Sequence, residues 1–559
     1  MTAMKRFEEW LNNPYFDEET KKELKAITDQ SEIQDRFYRD LEFGTGGLRG
    51  ILGAGTNRMN AYTVRKATQG LANYIIKQGK QGQGVAIAYD SRHMSPEFSK
   101  EAAMCLCANG IKAYRFESLR PTPELSFALR KLHCAAGIVI TASHNPAEYN
   151  GYKVYWEDGA QITYPRDKEI IAEVKNVTDF HMVRTMKLEE AEAMGFYQEI
   201  GEEIDEAFYT EILSLVKNKE AIEKAKDLKI VYTPLHGTGN IPVRTILKRL
   251  GFENVYVVEE QCVPDGSFPT VKSPNPEEAS AFAMALKLAK EVDADIVMGT
   301  DPDADRLGIY CKNKAGEYVS FNGNMSGSLL CEYILGQKKE HGEDLSNKAV
   351  ITTIVSSNLV KAIAENYKVK CFETLTGFKY IGEYIHKFEL EHSYDFVFGM
   401  EESYGCLPGT YARDKDAVGA CVMLCEAAAY YYSQGLTLYE QLLNIYNKYG
   451  YYREALHTET YKGEDGAKKI QEIMERLRKN PLGSVGTCKV KNVTDYDKEG
   501  TGFVRSNVLA YELENDAWFV VRPSGTEPKI KFYTGVVGND MQDAMKKSEQ
   551  LLSDVLKEL

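Results

Sequence analysis

Along the chain, short β-branched and apolar runs alternate with longer stretches of helical periodicity, such as "DKEIIAEVKNV" (167–177) and "ASAFAMALKLAKEV" (279–292). That alternation predicts consecutive α/β units with largely parallel strands. Four runs share a further feature: "AAGIVITASHNP", "ADIVMGTDPDADR", "YDFVFGMEESYG" and "AWFVVRPSGTEPK" each carry an apolar strand straight into a loop of small, hydroxyl-bearing or charged residues. In open α/β sheets ligands gather beyond the carboxyl ends of strands, where such loops project. The loops begin near residues 141, 300, 399 and 522, too far apart for one domain. The expectation is four consecutive domains, 1–205, 206–318, 319–448 and 449–559, each delivering one loop to a common cleft. The boundaries are drawn at "GFYQEIGEEIDEAFYTEIL" near 200, "CKNKAGEYVSFNG" near 315 and "NIYNKYGYYREALHTE" near 450. No short-period repeat or low-complexity tract interrupts them.

Length and charge narrow the chemistry. At 559 residues, with 43% apolar residues, the chain exceeds a single core and supplies several at roughly 150 residues per domain. A formal charge of −14 argues against general nucleic-acid affinity, so an anionic ligand needs a local basic site. Eleven cysteines without a CxxC pair read as reduced, mostly buried thiols. The opening "MTAMKRFEEWLNN" lacks the apolar core of a signal peptide, and no apolar run reaches the ~18 residues that span a bilayer. A cytoplasmic protein without membrane or nucleic-acid partners is expected.

In "TDPDADR", Asp301, Asp303 and Asp305 stand at a spacing of two. Alternating carboxylates on an extended loop point inward together and suit a hard divalent cation. An EF-hand is excluded, because Arg306 and Lys312 occupy its Gly and Glu positions. "RPSGTEPK" combines the Arg522 fork, the Ser524 and Thr526 hydroxyls, Gly525 and a following Lys529, the makings of a phosphate nest. "GMEESYG" supplies Glu401 and Ser403, acceptors fit for sugar hydroxyls. Ser143, in "TASHN", follows Thr141 and Ala142 and so lacks the G-x-S-x-G elbow of a serine hydrolase. Beside a metal loop and a phosphate nest, a phosphoryl carrier is the better chemistry for Ser143; taken alone, the stretch reads equally well as a structural ST-turn.

The loops together resemble the α-D-phosphohexomutases, which include phosphoglucomutases and phosphomannomutases. In order, the resemblance covers "FGTGGLRG" (43–50), "TASHNPAEYNGYK" (141–153), "YTPLHGTG" (232–239), "TDPDADR" (300–306), "LTGFKYIG" (375–382), "GMEESYG" (399–405) and "RPSGTEPK" (522–529). It implies three similar α/β mixed-sheet domains and a smaller C-terminal α+β domain around a central cleft. It also implies that Ser143 is phosphorylated in the resting enzyme and completes a magnesium shell with Asp301, Asp303 and Asp305. Phosphoserine would pass its group to a sugar monophosphate, giving a hexose 1,6-bisphosphate that turns over in the cleft and returns its other phosphate. Arg49 and Lys153 would stabilise that transfer, in which positioning and charge neutralisation do most of the catalysis. Lys153, His144 and Arg49 are the acid/base candidates, Arg49 the weakest because a guanidinium stays protonated. Lys415 in "RDKDA" and Gly377 in "LTGFKYIG" match substrate-cleft positions. The expected partners are small sugar phosphates, and the expected assembly is a monomer or small homo-oligomer.

Two positions depart from the family pattern: Met400 stands before "EES" where Gly is common, and Gly405 stands where phosphomannomutase-like members carry a His. "FGTGGLRG" with "YTPLHGTG" is most similar to the branch holding phosphoglucomutases and some phosphopentomutases. The rival readings are a haloacid-dehalogenase-type phosphatase or mutase with Asp301 or Asp303 as nucleophile, which leaves the Ser143 and Arg522 loops idle, and a non-enzymatic sugar-phosphate sensor.

Overall fold

The computed structural model describes residues 2–43, 46–461, 463–524 and 529–558, leaving aside the side chains of 463–465 and 467. Four sheets follow one another along the chain. The first has six strands in the order Gly47–Ile51, Tyr149–Trp156, Ala136–Ile140, Val85–Tyr89, Ala113–Phe116 and Tyr197–Ile200. Its centre is parallel, and the pairings of Tyr149–Trp156 with both neighbours are antiparallel. The second sheet repeats this mixture: Ile296–Thr300 and Val255–Val257 run parallel to Ile230–Thr233, while Leu307–Lys312 and Tyr318–Phe321 close it antiparallel. The third has Lys370–Thr374 and Asp395–Glu401 parallel to Lys348–Thr353, with Gly405–Leu407 antiparallel at the edge. The fourth, from Tyr451–Thr460 to Ser484–Val485, is antiparallel throughout.

The all-apolar runs became strands buried on both faces. Every residue of Val85–Tyr89, Ala136–Ile140 and Ile296–Thr300 is buried, as helices on both sides of a parallel sheet require. The run "DKEIIAEVKNV" lies in the helix Arg166–Asn176, and "ASAFAMALKLAKEV" makes a 3-10 turn, Ala279–Phe282, before the helix Ala283–Val292. The helix Ala417–Tyr432 is buried on nearly all sides, capped by Asp416, and packs against the helices Glu202–Leu215, Lys219–Lys224 and Asn240–Leu250 as well as the strand Gly405–Leu407 of its own sheet. One continuous apolar core therefore runs from Ala86 and Val139 through Tyr232 and Met298 to Phe398 and Leu424.

The C-terminal sheet has its own core around Leu477, Tyr511, Phe532 and Val555, and meets the third unit across Val355, Leu375, Tyr496, Val508, Val520 and Tyr533. Three short helices at the start, Ala3–Asn12, Glu18–Lys25 and Gln30–Phe37, form a satellite that stacks Trp10 on Phe16 and seats Phe37 and Tyr62 edge-on against Trp10. No helix among the described residues is long and apolar enough to cross a membrane, and all eleven cysteines are free.

Candidate active site

Each of the first three site loops is the turn of a β-hairpin. The strand that carries a loop in is followed directly by an antiparallel partner: Ala136–Ile140 by Tyr149–Trp156, Ile296–Thr300 by Leu307–Lys312, and Asp395–Glu401 by Gly405–Leu407. Each turn contains one non-glycine residue in the left-handed region: Ser143 (φ 52), Ala304 (φ 51) and Tyr404 (φ 65). Strained backbone of this kind persists only where its surroundings hold it.

The surroundings of Ser143 do so. Its N–H donates to Thr141 Oγ1 at 2.8 Å, and that hydroxyl donates to the buried Asp90 at 2.6 Å. Arg92, fully buried, donates to the carbonyls of Ser143 (2.6 Å), Pro146 (2.8 Å), Tyr149 (3.0 Å) and Asn145, and its guanidinium lies over the Phe268 ring of the second unit. Ser273, also from the second unit, donates to the carbonyl of His144 at 3.0 Å. The Ser143 hydroxyl is thereby aimed at Asp301 Oδ2, 2.7 Å away, with His144 Nδ1 at 3.1 Å. Burial, reinforced by Arg306 and Arg49, holds the His144 imidazole well below its ordinary pKa and therefore neutral.

The aspartates converge differently from the extended loop expected of their spacing. The chain turns sharply at Ala304, and Asp301 Oδ1 accepts from the N–H groups of Asp305 and Arg306, both at 3.1 Å, closing the turn on itself. All three carboxylates are buried and offer oxygens within 4.8 Å of one another. Lys153 Nζ, from the strand beside Ala136–Ile140, reaches Asp303 Oδ2 at 2.8 Å and Asp305 Oδ2 at 3.4 Å, and Lys415 Nζ reaches Asp305 Oδ2 at 3.3 Å. Asp303 Oδ1 and Asp305 Oδ1 remain buried with no hydrogen-bond donor among the described residues. Burial and the neighbouring Asp303 and Asp305 push the Asp301 carboxyl well above its ordinary pKa. Three buried carboxylates with two oxygens left over, and with the charged form of Asp301 disfavoured by its neighbours, fit a hard divalent cation; the cluster can bind a metal.

The network continues into the third unit. Lys415 Nζ lies 3.7 Å from Glu401 Oε1, which accepts from Ser403 Oγ at 3.0 Å. Burial lowers the Lys153 and Lys415 ammonium groups, but the surrounding carboxylates outweigh it and hold both above their ordinary pKa. Ser143, His144, Lys153, the three aspartates, Lys415, Glu401 and Ser403 thus form one polar chain across three units.

Arg49 joins at the rim, where it donates to Asn145 Oδ1 at 3.2 Å from a strand paired opposite Gly151. Gly151 is squeezed between strands, since a Cβ there would meet Thr141 O at 2.5 Å and Leu48 O at 2.8 Å. Gly377 (φ 119) caps the helix Phe378–Glu391, whose Phe378 ring lies 5.7 Å from Lys415 Nζ and whose Lys379 feels the charge of Arg522. Arg522, next to last in the strand Trp518–Pro523, lies opposite Lys531, and Ser524 N–H donates to the carbonyl of Lys529 at 2.8 Å. Gly525 and Thr526 lie outside the described residues.

Family comparison places this arrangement. The chain matches phosphoglucomutase/phosphomannomutase alpha/beta/alpha domain I over residues 40–180, domain II over 206–316, domain III over 322–449 and the C-terminal domain over 464–545. It belongs to the phosphoglucomutase/phosphomannomutase family. It is 37% identical over 538 residues to the phosphoglucomutase of Staphylococcus aureus (strain MRSA252), covering 94% of this chain and 95% of that one. It is 36% identical over 509 residues to the phosphoglucomutase of Staphylococcus haemolyticus, covering 89% and 90%. The fold is that of the Paramecium pp63/parafusin phosphoglucomutase in its open form (TM-score 0.69, 17% identity, 93% and 94% covered). A phosphoglucomutase/phosphomannomutase family protein of Burkholderia thailandensis shares it too (TM-score 0.66, 18% identity, 90% and 96% covered). The family's four-domain architecture of three mixed-sheet α/β units and a C-terminal unit is the one built here.

In this family member, sequence reasoning missed several residues that shape the site. Asp90 and Arg92 sit in "YDSRHMS", where a charged pair after an apolar strand was the available signal. Arg306 lies inside the quoted aspartate motif and is clamped by Glu277. Asp414 accepts from the Tyr155 hydroxyl at 2.6 Å and lies 3.3 Å from Lys415 Nζ. Lys531, aligned with Arg522, faces Glu402 and is lowered from its ordinary pKa by burial and by Arg522. Only the folded chain reveals these last two, Asp414 through its contact with Tyr155 and Lys531 through its register with Arg522.

Proposed function

We propose that this chain interconverts glucose 1-phosphate and glucose 6-phosphate, with Ser143 as the phosphoryl carrier and a bound hexose 1,6-bisphosphate as the intermediate. It is a phosphohexomutase by family, and relatives 36–37% identical over most of its length are named phosphoglucomutase. The observation that carries the reading is the Ser143 hydroxyl, held 2.7 Å from Asp301 at the edge of a buried carboxylate trio with spare oxygens.

In the phosphorylated enzyme the Ser143 Oγ–P bond breaks as a sugar hydroxyl oxygen takes the phosphoryl group, and the proton that hydroxyl loses ends on the freed Ser143 Oγ by way of His144, 3.1 Å from it. In the second half the other sugar O–P bond breaks as Ser143 Oγ takes that phosphate, and the serine proton passes by way of neutral His144 to the sugar oxygen released. Lys153 and Lys415, held charged by their carboxylate neighbours, stabilise the transferring phosphoryl rather than take a proton. Asp301, Asp303 and Asp305 would hold magnesium, which supplies charge neutralisation at the phosphoryl oxygens. Arg522, Ser524, Gly525, Thr526 and Lys531 grip the phosphate that is not reacting. Gly377, at the start of its helix, borders that phosphate.

Turning the bisphosphate end for end exchanges the places of its 3- and 4-hydroxyls, so Glu401 and Ser403 can serve both orientations. Glucose and mannose agree at those carbons, whereas galactose inverts carbon 4 and leaves a buried acceptor poorly paired, at a cost of roughly 1–3 kcal/mol. Comparing kcat/KM for glucose, mannose, galactose and ribose 1-phosphates tests this. Glucose is expected to lead and galactose to be poor. A galactose value equal to that of glucose would overturn the Glu401/Ser403 assignment, and a ribose value well above glucose would make the activity a phosphopentomutase.

The functional units run 1–205, 206–321, 322–448 and 449–559; the boundary expected at 318 moves to Phe321, because Tyr318–Phe321 pairs with Leu307–Lys312 in the second sheet. Free, mostly buried thiols support a reducing cytoplasmic setting.

A further inference from the structure

The carboxylate of Asp303 has two ends with different fates. Its Oδ2 accepts from Lys153 Nζ at 2.8 Å and from Thr122 Oγ1 at 2.9 Å, while its Oδ1 is buried and has no donor among the described residues. Asp303 has a second bond to the same threonine, since Thr122 N–H donates to the Asp303 carbonyl at 2.9 Å. Thr122 is itself fully buried and belongs to a different unit. It opens the helix Thr122–Lys131 of the first unit, the unit that also carries Ser143. Its backbone N–H has no intrahelical acceptor at that position, so spending it on the second unit's carbonyl costs the helix nothing.

Two donors on one oxygen fix the plane of a carboxylate and leave the other oxygen as its only free acceptor. We infer that Thr122 is a positioning residue for the metal site: it pins Asp303 Oδ2 so that Oδ1 alone faces the cation, and it locks the aspartate turn to the unit that bears Ser143. Lys153 cannot do this by itself, because its ammonium is shared with Asp305 at 3.4 Å and sits on a flexible stem. The Thr122 hydroxyl is a short, rigid donor on a helix end, and its reach across the unit boundary sets the spacing between the phosphoryl carrier and the metal ligands. Groups of this kind behind a metal ligand typically change metal affinity roughly 10- to 100-fold when removed.

This inference rests on the reading that the three aspartates hold a divalent cation, and the test separates the two. Mn2+ serves as the probe, with binding to the full-length protein followed by the electron paramagnetic resonance signal of the free ion. Asp303→Asn reports on the cation reading: binding as tight as in the unaltered protein would sink that reading and this inference with it. Given loss of binding there, Thr122→Val, which keeps shape and the backbone N–H but removes the hydroxyl, is expected to weaken Mn2+ binding at least roughly tenfold. Thr122→Ser, which restores the hydroxyl, is expected to bind within about twofold of the unaltered protein. Melting temperatures in EDTA should separate the threonine variants less than those in saturating Mn2+ do. Unchanged Mn2+ affinity in Thr122→Val, or equal weakening in Val and Ser variants, would overturn the inference. If Thr122→Val fails to fold, the Thr122→Ala and Thr122→Ser pair is read in the same way.

Discussion

Ser143 pairs a left-handed backbone (φ 52) with a hydroxyl held between Asp301 and His144, and both features trace to neighbours rather than to its own preferences. The strain is already present with serine, and alanine has the same Cβ, so Ser143→Ala removes the hydroxyl without adding backbone cost. We expect that variant to keep its melting temperature, to lack phosphate on the 137–153 peptide by mass spectrometry, and to lose mutase turnover. Mutase rates like those of the unaltered protein would rule out Ser143 as the carrier. The aspartates and the serine were legible in the sequence because their residue types and spacing narrow the chemistry. Thr122, Asp414 and Lys531 were not, because an ordinary threonine, aspartate or lysine becomes part of a site only through what folding sets opposite it.

At the scale of elements, the three leading loops share one construction, a parallel strand that doubles back as an antiparallel hairpin. A hairpin turn leaves its backbone carbonyls pointing outward, and buried carbonyls need donors. In the Ser143 turn Arg92 supplies them to four residues at once. A lysine has no planar fork and cannot span the same carbonyls. Arg92→Lys should therefore let the turn relax, lowering kcat and slowing phosphorylation of Ser143 by the bisphosphate while KM changes little. A raised KM with kcat preserved would show that Arg92 acts on substrate binding instead. At the other end of the first unit, Glu23 and Arg36 from the opening helices hold the Ala54 N–H and carbonyl, at 3.1 Å and 3.0 Å, just beyond the strand that carries Arg49. The aromatic packing of those helices on Tyr62 emerged only with the fold.

Over the whole molecule, the first three units share a core while the fourth docks on the third through a separate apolar patch. Two glutamates lie at that junction. Burial and Glu401 push the Glu402 carboxyl from 4.5 up to about 7; Thr353 donates to it, and Arg522 on the fourth unit acts in the opposite direction, with Tyr533 and Lys531 alongside. Burial likewise raises Glu454, on the first strand of the fourth sheet, to about 7, against the pull of Ser357 and Arg453 and beside Tyr446 and Tyr452. A carboxyl whose folded pKa exceeds its unfolded value favours the folded chain fully below the unfolded value and loses that contribution as pH rises through the folded one. The two carboxyls should thus favour the folded chain below pH 4.5 and stop doing so through about pH 7. The melting temperature should fall between about pH 5.5 and about pH 8.5, and fall less in a Glu402→Gln, Glu454→Gln double variant. An equal fall in the double variant would assign the pH response to other groups.

The sequence by itself determined the α/β class and put Ser143, the acidic trio and Glu401 with Ser403 forward as candidates on three of the four strand-end loops, because periodicity and residue chemistry are local properties. "TASHN", "TDPDADR" and "GMEESYG" carry their functional groups within a few residues of one another. Only the tertiary structure decided that the aspartate loop is a tight turn, and which oxygen of Asp303 is free. It also decided that Lys153, Lys415 and Thr122 converge on carboxylates 110 to 181 positions away in the chain. The physical reason is that a hydrogen bond or ion pair depends on placement to within tenths of an ångström, which sheet register and the docking of whole units set.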